Sequence, residues 1–298
     1  MKRILITGAN GQLGRELTAA FSGPCDLVTA GRPDLDITDP AAVNAFMDRV
    51  RPDLLLNAAA YTAVDRAEEE MDRAFAANGD APGYLAEACA RTGAAMIHFS
   101  TDFVFDGESE TPYRETDPAA PLSVYGKSKL AGEQTAAAAL DRLIILRTSW
   151  LYSPFGRNFI STILEKARTE TELRVVADQQ GCPTAAEDLA AAARTIADRI
   201  LSKENDIPWG VYHWCNQGVT SWHGLAEITV HLMRGPWNLA CRRVIPIPSV
   251  SYPLPARRPA FSALDCSAAD QAFGVSRPLW IDALHRTLGR MHADRRIR

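Results

Sequence analysis

An α/β fold built on a doubly wound parallel sheet, Rossmann-like and carrying a smaller C-terminal lobe, is predicted by three observations. Short, almost continuously apolar runs alternate with longer Ala-rich stretches through the first half of the chain. Strands apolar along their whole length are those covered on both faces, as in parallel sheets with crossover helices. The first run ends in Gly8-Ala9-Asn10-Gly11-Gln12-Leu13-Gly14, a glycine turn that opens an amphipathic stretch. The chain has 298 residues, 47% of them hydrophobic and 23% charged, enough for a substantial core and one or two domains.

In order, strands are expected at Arg3–Thr7, Asp26–Ala30, Leu54–Asn57, Met96–Ser100 and Leu143–Thr148. Helices are expected between them at Leu13–Phe21, Ala41–Val50, Arg66–Asn78, Ala81–Thr92 and Tyr125–Ala138. Right-handed crossovers then wind the sheet in both directions. In the second half Ala186–Leu201 reads as a helix, with Glu187 and Asp188 in its first turn where the helix dipole favours them. Prolines crowd the segment from Pro236 to Pro259, which is therefore loop, edge strand or both. Residues 1–150 are taken as a dinucleotide-binding domain to which a helix at about 185–201 returns. Residues 151–184 and 202–298 are assigned mainly to a substrate-binding lobe.

Composition narrows the classes further. A net charge of −4 lacks the basic balance of a nucleic-acid binder. The one basic cluster, Arg290, Arg295, Arg296 and Arg298, reads as a solvated helix end. No apolar run reaches the roughly 18 residues that span a bilayer, and the apolar start breaks at Gly8, too early for a signal segment. The cysteines, Cys25, Cys89, Cys182, Cys215, Cys241 and Cys266, form no CxxC pair and read as scattered reduced thiols in a cytoplasmic protein. The six histidines show no metal-ligand spacing.

The glycine turn follows a strand and precedes a helix, the context in which Gly8, Gly11 and Gly14 cradle a pyrophosphate at the helix N-terminus. Strand two ends in Gly31-Arg32 where NAD-specific sites carry an acidic residue. Arg32 suits a 2′-phosphate, so NADPH is the expected cofactor, with NADH an alternative. Asp36 and Ile37 flank the adenine side. The small residues of Asn57-Ala58-Ala59-Ala60 let a cofactor lie against the backbone.

Tyr125 and Lys129 stand four apart at the start of a helix and so share a face. A phenol titrates near 10, and a neighbouring ammonium is expected to lower that value. Thr101, in Ser100-Thr101-Asp102 at a strand end, offers a hydroxyl to the substrate or to the tyrosine; its other reading is a local turn cap. Asn78, near a helix end, is placed to support a helix kink or a water chain.

Together these motifs resemble the extended short-chain dehydrogenase/reductases. More narrowly, GANGQLG (8–14), RPDLLLNAAAYTAVDRAE (51–68), STDFVFDG (100–107), PLSVYGKSKLAGE (121–133), RTSWLY (147–152), DQQGCPT (178–184) and Tyr-Pro-x-Pro-Ala-x-Arg-Pro (252–259) resemble the dTDP-4-dehydrorhamnose reductase family. The resemblance runs from residue 1 to about 285. It implies hydride transfer to the C4 ketone of dTDP-6-deoxy-L-lyxo-4-hexulose in dTDP-L-rhamnose synthesis. Tyr125 would be the proton donor, Lys129 the ribose holder and Thr101 the orienting hydroxyl. Gly11-Gln12-Leu13, Asp36-Ile37 and Ala60-Tyr61-Thr62 match the family's cofactor contacts, and Thr101-Asp102 and Trp150 its sugar contacts. Arg258 is a candidate for the nucleotide pyrophosphate or, equally, for a loop salt bridge.

Some members of the family dimerise through Mg2+ held by three glutamates. Glu16 and Glu187 match two of these, but Arg290 stands at the third position, so a monomer or another homodimer is open. Two further readings remain: a related 4-keto-6-deoxyhexose reductase of different stereochemistry, and a non-catalytic NADP-binding regulatory subunit.

Overall fold

The computed structural model describes residues 1–23, 25–202 and 206–296. In the first half β1 (Arg3–Thr7), α1 (Gln12–Ala20), β2 (Asp26–Ala30), α2 (Pro40–Val50) and β3 (Leu54–Asn57) follow one another. Next come α3 (Val64–Ala67), α4 (Met71–Phe75), a π-helical turn at Ala76–Asp80, and α5 (Ala81–Thr92). Then follow β4 (Ala95–Thr101), a 3-10 turn at Asp102–Val104, α6 (Val124–Ala139) and β5 (Leu143–Thr148). The second half holds β6 (Leu151–Tyr152), α7 (Phe159–Ala167), β7 (Glu172–Val176), β8 (Gln180–Gly181), β9 (Thr184–Ala185) and α8 (Ala186–Leu201). It closes with β10 (Gly210–His213), β11 (Thr220–Ser221), α9 (Trp222–Met233), β12 (Arg243–Ile247), α10 (Ser267–Phe273) and α11 (Trp280–Arg296).

The main sheet runs β10-β5-β4-β3-β1-β2 with every pair parallel. Strand alternation sorts its side chains between two cores. Ile4, Ile6, Leu54, Leu56, Ile97, Ile144 and Leu146 meet Leu13 and Leu17 of α1 and the alanine face of α8. Leu5, Leu55, Met96 and Ile145 meet residues of α2 and α5 on the other face, with Ala136 of α6. A third cluster, including Tyr152, Ile163, Leu164, Leu225, Met233 and Leu284, fills the lobe.

Three expectations change. The single helix expected over Arg66–Asn78 is broken into α3, α4 and the π turn. The glutamates at the break act as tethers. Glu68 accepts from the Val124 amide at the start of α6, and Glu70 accepts from the Tyr61 hydroxyl. The segment placed with the lobe also supplies the sixth strand: β10 pairs with β5 and covers that edge of the sheet. Four residues beginning with a glycine carry too little pattern to read as a strand. Within Pro236–Pro259, β12 pairs with β7 in a separate two-stranded sheet. The cysteines are not all scattered: the Cys215 and Cys266 thiols lie 3.5 Å apart in a buried cluster that includes Cys182. Among the described residues no helix is long and apolar enough to cross a membrane.

Helix α6 is fixed to the sheet by a buried charge cluster. Arg147 of β5 grips Glu133 of α6 through Nε at 2.9 Å and Nη2 at 2.6 Å, and Ser100 of β4 donates to the same carboxylate. All three residues are buried. Removing one partner of such a pair leaves an unmatched charge in low dielectric. Arg147→Met should therefore lower the free energy of unfolding by about 3–5 kcal/mol, whereas Arg147→Met combined with Glu133→Leu should recover most of that loss. Urea denaturation of both variants checks this.

Candidate active site

The glycine turn, the ends of β1 to β5 and the lobe enclose one long cleft. Its first part, about 380 Å³, is lined by Gly8, Gly11, Arg32, Asp36, Ile37, Ala60 and Tyr61 among others. Its second part, about 480 Å³, shares Gly11 and Ala58–Ala60 with the first and adds Gln12, Leu13, Thr62, Thr101, Asp102, Tyr125, Lys129, Trp150 and Arg258. Of the site residues expected from the sequence, only Gly14 lines neither part.

Gly8 has φ +68°, and a Cβ there would lie 2.5 Å from the Ala59 amide nitrogen. The turn therefore packs directly on the end of β3, and its backbone forms one wall of the cleft. Gly14 sits one turn into α1, where its lack of a side chain lets the helix approach the Gly8 carbonyl. Gly11 caps α1 without a side-chain hydrogen bond, which leaves the helix amides to face the cleft. The Gln12 carboxamide oxygen instead accepts from Ser153 and Asn158, joining the turn to the lobe.

Arg32 is exposed at the rim. The Asp36 carboxylate bonds back to the amide and hydroxyl of Thr38 and is held below its usual range chiefly by these bonds, with Arg32 adding to the effect. Asn78, inside the π turn, pairs its carboxamide with the Tyr61 backbone at 2.8 and 2.9 Å and donates to Ser128. Ser128 in turn donates to the Tyr125 carbonyl. The kinked helix thus links the cofactor wall to the start of α6.

Ser123 caps α6 by accepting from the Gly126 amide. This places Tyr125 edge-on to Phe103 and within a hydrogen bond of Thr101. Thr101 also accepts from the Phe103 amide, so it caps the 3-10 turn and reaches the tyrosine at once. Burial pushes the Tyr125 phenol up to about 12, with Thr101 opposing and Asp102 adding to the rise. A phenol lowered by Lys129 is not what the fold produces. The Lys129 ammonium is turned to the Phe99 carbonyl at 2.7 Å and is itself brought down to about 8 by burial, with Glu133 opposing.

Trp150 adopts φ +47° and stacks flat on Trp222, ring centroids 3.5 Å apart. A left-handed backbone at a tryptophan is costly and is retained where the surroundings over-determine it. Trp222 was not singled out from the sequence, because it reaches the cleft from a distant helix with no motif around it. Asn158 was missed too, although Asn158 and Ser161 form a capping box at the start of α7. Arg258 lines the cleft but also forks onto Asp65 at 2.8 and 2.9 Å, tying the proline-rich segment to α3.

Glu16, Glu187 and Arg290 do meet. Arg290 Nη1 stands 2.9 Å from Glu16 and 3.2 Å from Glu187. A guanidinium between two carboxylates neutralises them and offers no lone pair to a divalent ion. Arg290 is thus an ion-pair partner of a buried glutamate rather than a solvated helix end. Arg295, Arg296 and Arg298 lie outside the described side chains.

The family described as RmlD substrate binding domain matches residues 1–293. The chain belongs to the dTDP-4-dehydrorhamnose reductase family. It is 42% identical to the dTDP-4-dehydrorhamnose reductase of Sinorhizobium fredii over 287 residues, covering 95% of this chain and 96% of that one. It is 37% identical to the Escherichia coli enzyme of the same name, with 97% of each covered. A dTDP-4-dehydrorhamnose reductase structure from Clostridium acetobutylicum superposes with a TM-score of 0.90 at 36% identity, covering 97% of this chain and 99% of that one. One from Bacillus anthracis in complex with NADP gives 0.88 at 34%, covering 97% and 100%.

Burial raises the Asp102 carboxyl to about 6, opposed by hydrogen bonds from Ser262 and Thr101. An acid with a raised folded value binds its proton more tightly when folded, so its contribution to stability falls as pH rises through that window. Asp102→Asn removes the titration. The melting temperature of the native protein minus that of Asp102→Asn should therefore increase as pH drops from 7 to about 4.5, as thermal unfolding across that range will show.

Proposed function

We propose that the protein reduces the C4 ketone of dTDP-6-deoxy-L-lyxo-4-hexulose to dTDP-L-rhamnose with NADPH, Tyr125 supplying the proton. The observation that carries this reading is the convergence of Thr101, Tyr125 and Lys129 in one cleft with the glycine turn and the Trp150 indole. Relatives that match nearly the whole chain are named dTDP-4-dehydrorhamnose reductases, and one such structure is a complex with NADP.

NADPH, when bound, supplies the hydride. The residues that would hold it fit the task. The α1 amides and the glycine turn receive the pyrophosphate, Arg32 the 2′-phosphate, and Lys129 the nicotinamide ribose. The donors and the bare backbone wall at Gly8 support this arrangement. As the C4 carbonyl gains hydride, its oxygen develops alkoxide charge. Tyr125 carries its proton throughout the neutral range, because burial raises it, and an alkoxide is a stronger base than a phenolate. The O–H bond of Tyr125 breaks as the O4–H bond forms, and the phenolate recovers a proton from solvent. Thr101, whose hydroxyl proton goes to Asp102, aims the phenol. Trp150 packs the apolar face of the deoxysugar, supported from behind by Trp222. Asp102 accepts from a sugar hydroxyl. Arg258, already matched by Asp65, is assigned to closing the cleft rather than to the pyrophosphate.

Turnover with substrate generated from dTDP-glucose, followed as loss of reduced-nicotinamide absorbance and by NMR of the product, tests the proposal. Formation of dTDP-L-rhamnose supports it. A different stereoisomer would reassign the substrate to a related ketoreductase, and dinucleotide binding with no turnover would favour a regulatory subunit. Tyr125→Phe should lower kcat by about 10²–10⁴-fold while dinucleotide affinity stays nearly unchanged; full activity in that variant would remove Tyr125 as the donor. Arg32→Ala should weaken NADPH by about tenfold or more, the loss of a charged hydrogen bond, and NADH much less. Isothermal titration with each dinucleotide measures the difference.

A further inference from the structure

One feature of the cleft floor is not used by this chemistry. Thr7, Asn57, His98 and Lys129 lie side by side across β1, β3, β4 and α6, all essentially excluded from solvent. The Asn57 carboxamide oxygen accepts from the Thr7 hydroxyl at 2.7 Å and from the Ala59 amide at 3.3 Å. A backbone amide is an unambiguous donor, so the orientation of Asn57 is settled: its nitrogen faces His98 Nδ1 at 3.0 Å. Nδ1 must then accept. Burial, reinforced by the Lys129 charge, holds His98 well below its ordinary range, so the ring is neutral and its one proton is on Nε2. That Nε2 lies 3.4 Å from Lys129 Nζ. An N–H cannot accept from an ammonium. The contact is donor against donor.

We propose that His98 is a positioning residue for Lys129, its tautomer locked by Thr7 and Asn57 so that it presents an N–H to the ammonium and sends the ammonium's protons to the Phe99 carbonyl and the cleft. The Phe99 carbonyl takes one proton, and the remaining two are left for acceptors in the cleft. An imidazole of the opposite tautomer would capture one of them and hold the ammonium charged. The arrangement therefore does two things: it aims Lys129 and weakens it as a base. Its use in turnover rests on the ribose-holding role proposed above; the tautomer and the titration do not.

The groups facing Lys129 are few. His98 and the Phe99 carbonyl come from β4. Glu133 comes from α6 itself and is matched by Arg147 of β5 and by Ser100, and Tyr125 stands one turn before Lys129 on the same helix. Asp102 acts on Tyr125 from the 3-10 turn. The test changes His98 and its hydrogen-bond partner Asn57 and leaves the charged groups around Lys129 in place.

Long-range 15N–1H spectra of the unaltered, cofactor-free protein should show His98 with Nδ1 unprotonated and Nε2 protonated; a protonated Nδ1 overturns the proposal without any substitution. The lysine Cε resonances of 13C-lysine-labelled protein then follow Lys129, assigned by its loss in Lys129→Arg. Lys129 should titrate near 8 in the native chain. His98→Asn keeps an acceptor for Asn57 but drops the facing N–H, and should move the titration upward by about a unit, a tenfold change. His98→Gln keeps an N–H near the Nε2 position and should leave it close to native. Asn57→Leu frees the ring to take the other tautomer and should raise it again. An unmoved titration in His98→Asn, or an equal shift in His98→Gln, defeats the proposal. The alkaline limb of kcat should move with the Lys129 titration. If the NMR shifts occur without that movement, the positioning stands and the assigned role of Lys129 in turnover fails.

Discussion

The placement of α6 is the constraint on which the site depends. The helix carries Tyr125 and Lys129 on one face and Glu133 one turn further on. Glu133 is an expensive residue to bury, and it is tolerated because Arg147 meets it with a two-pronged grip and Ser100 adds a third bond. Those partners lie on β5 and β4, so the pairing fixes both the rotation and the height of α6 against the sheet. Close approach on the opposite side does the rest. A Cβ at Gly132 would sit 1.9 Å from the Asn78 carbonyl, so only glycine lets α6 rest on the π turn. Held from both sides, Tyr125 meets Thr101 and Lys129 reaches Phe99. The face carrying Tyr125 and Lys129 is thus positioned by Glu133, Arg147, Ser100 and Gly132.

Much of this was legible in the chain, and the reason differs by element. The five core strands were visible because parallel strands buried on both faces read as unbroken apolar runs. Leu54–Asn57 and Leu143–Thr148 match their observed bounds. The helix Ala186–Leu201 was legible through its long alanine stripe and acidic first turn. The break in Arg66–Asn78 was not, because its cause is non-local: Glu68 and Glu70 are ordinary helix formers spent on tethers to Val124 and Tyr61. Within the site, residues in compact motifs were found and placed in the cleft. Trp222 and His98 were not, since each owes its part to a neighbour far along the chain. The charge state expected of Tyr125 failed for a related reason. Helical spacing puts Lys129 on the same face, but spacing does not say which carbonyl claims the ammonium.

Arg290 shows how one side chain directs a surface. Glu16 is buried on α1, and burial pushes its carboxyl upward. A buried carboxylate needs a cation nearby, whether a metal ion or a side chain. Here a guanidinium from the last helix serves, with Glu187 from α8 completing the pair. The consequence is intramolecular: α11 is pinned across α1 and α8, binding the end of the lobe to the dinucleotide half. A shared ion could instead connect separate chains, but the same charges used internally leave no need for one at this place.

Three titrating groups in the second part of the cleft obey one logic. Desolvation moves each toward its neutral form: Asp102 and Tyr125 upward, Lys129 downward. A dry site that drives its own groups toward neutrality pairs weakly with itself and strongly with whatever charge enters. For a ketone reduction that is a useful bias, because the charge that enters is the alkoxide formed at the transition state. In the proposed reaction, a phenol still holding its proton would meet that charge as an acid. A lysine whose protons are aimed into the cleft, rather than bound by a histidine acceptor, is free to orient toward the ligand. The hydrogen bonds from Thr7 through Asn57 to His98 bury three polar side chains, and within the proposed arrangement their return is that Lys129 finds no acceptor on the imidazole side.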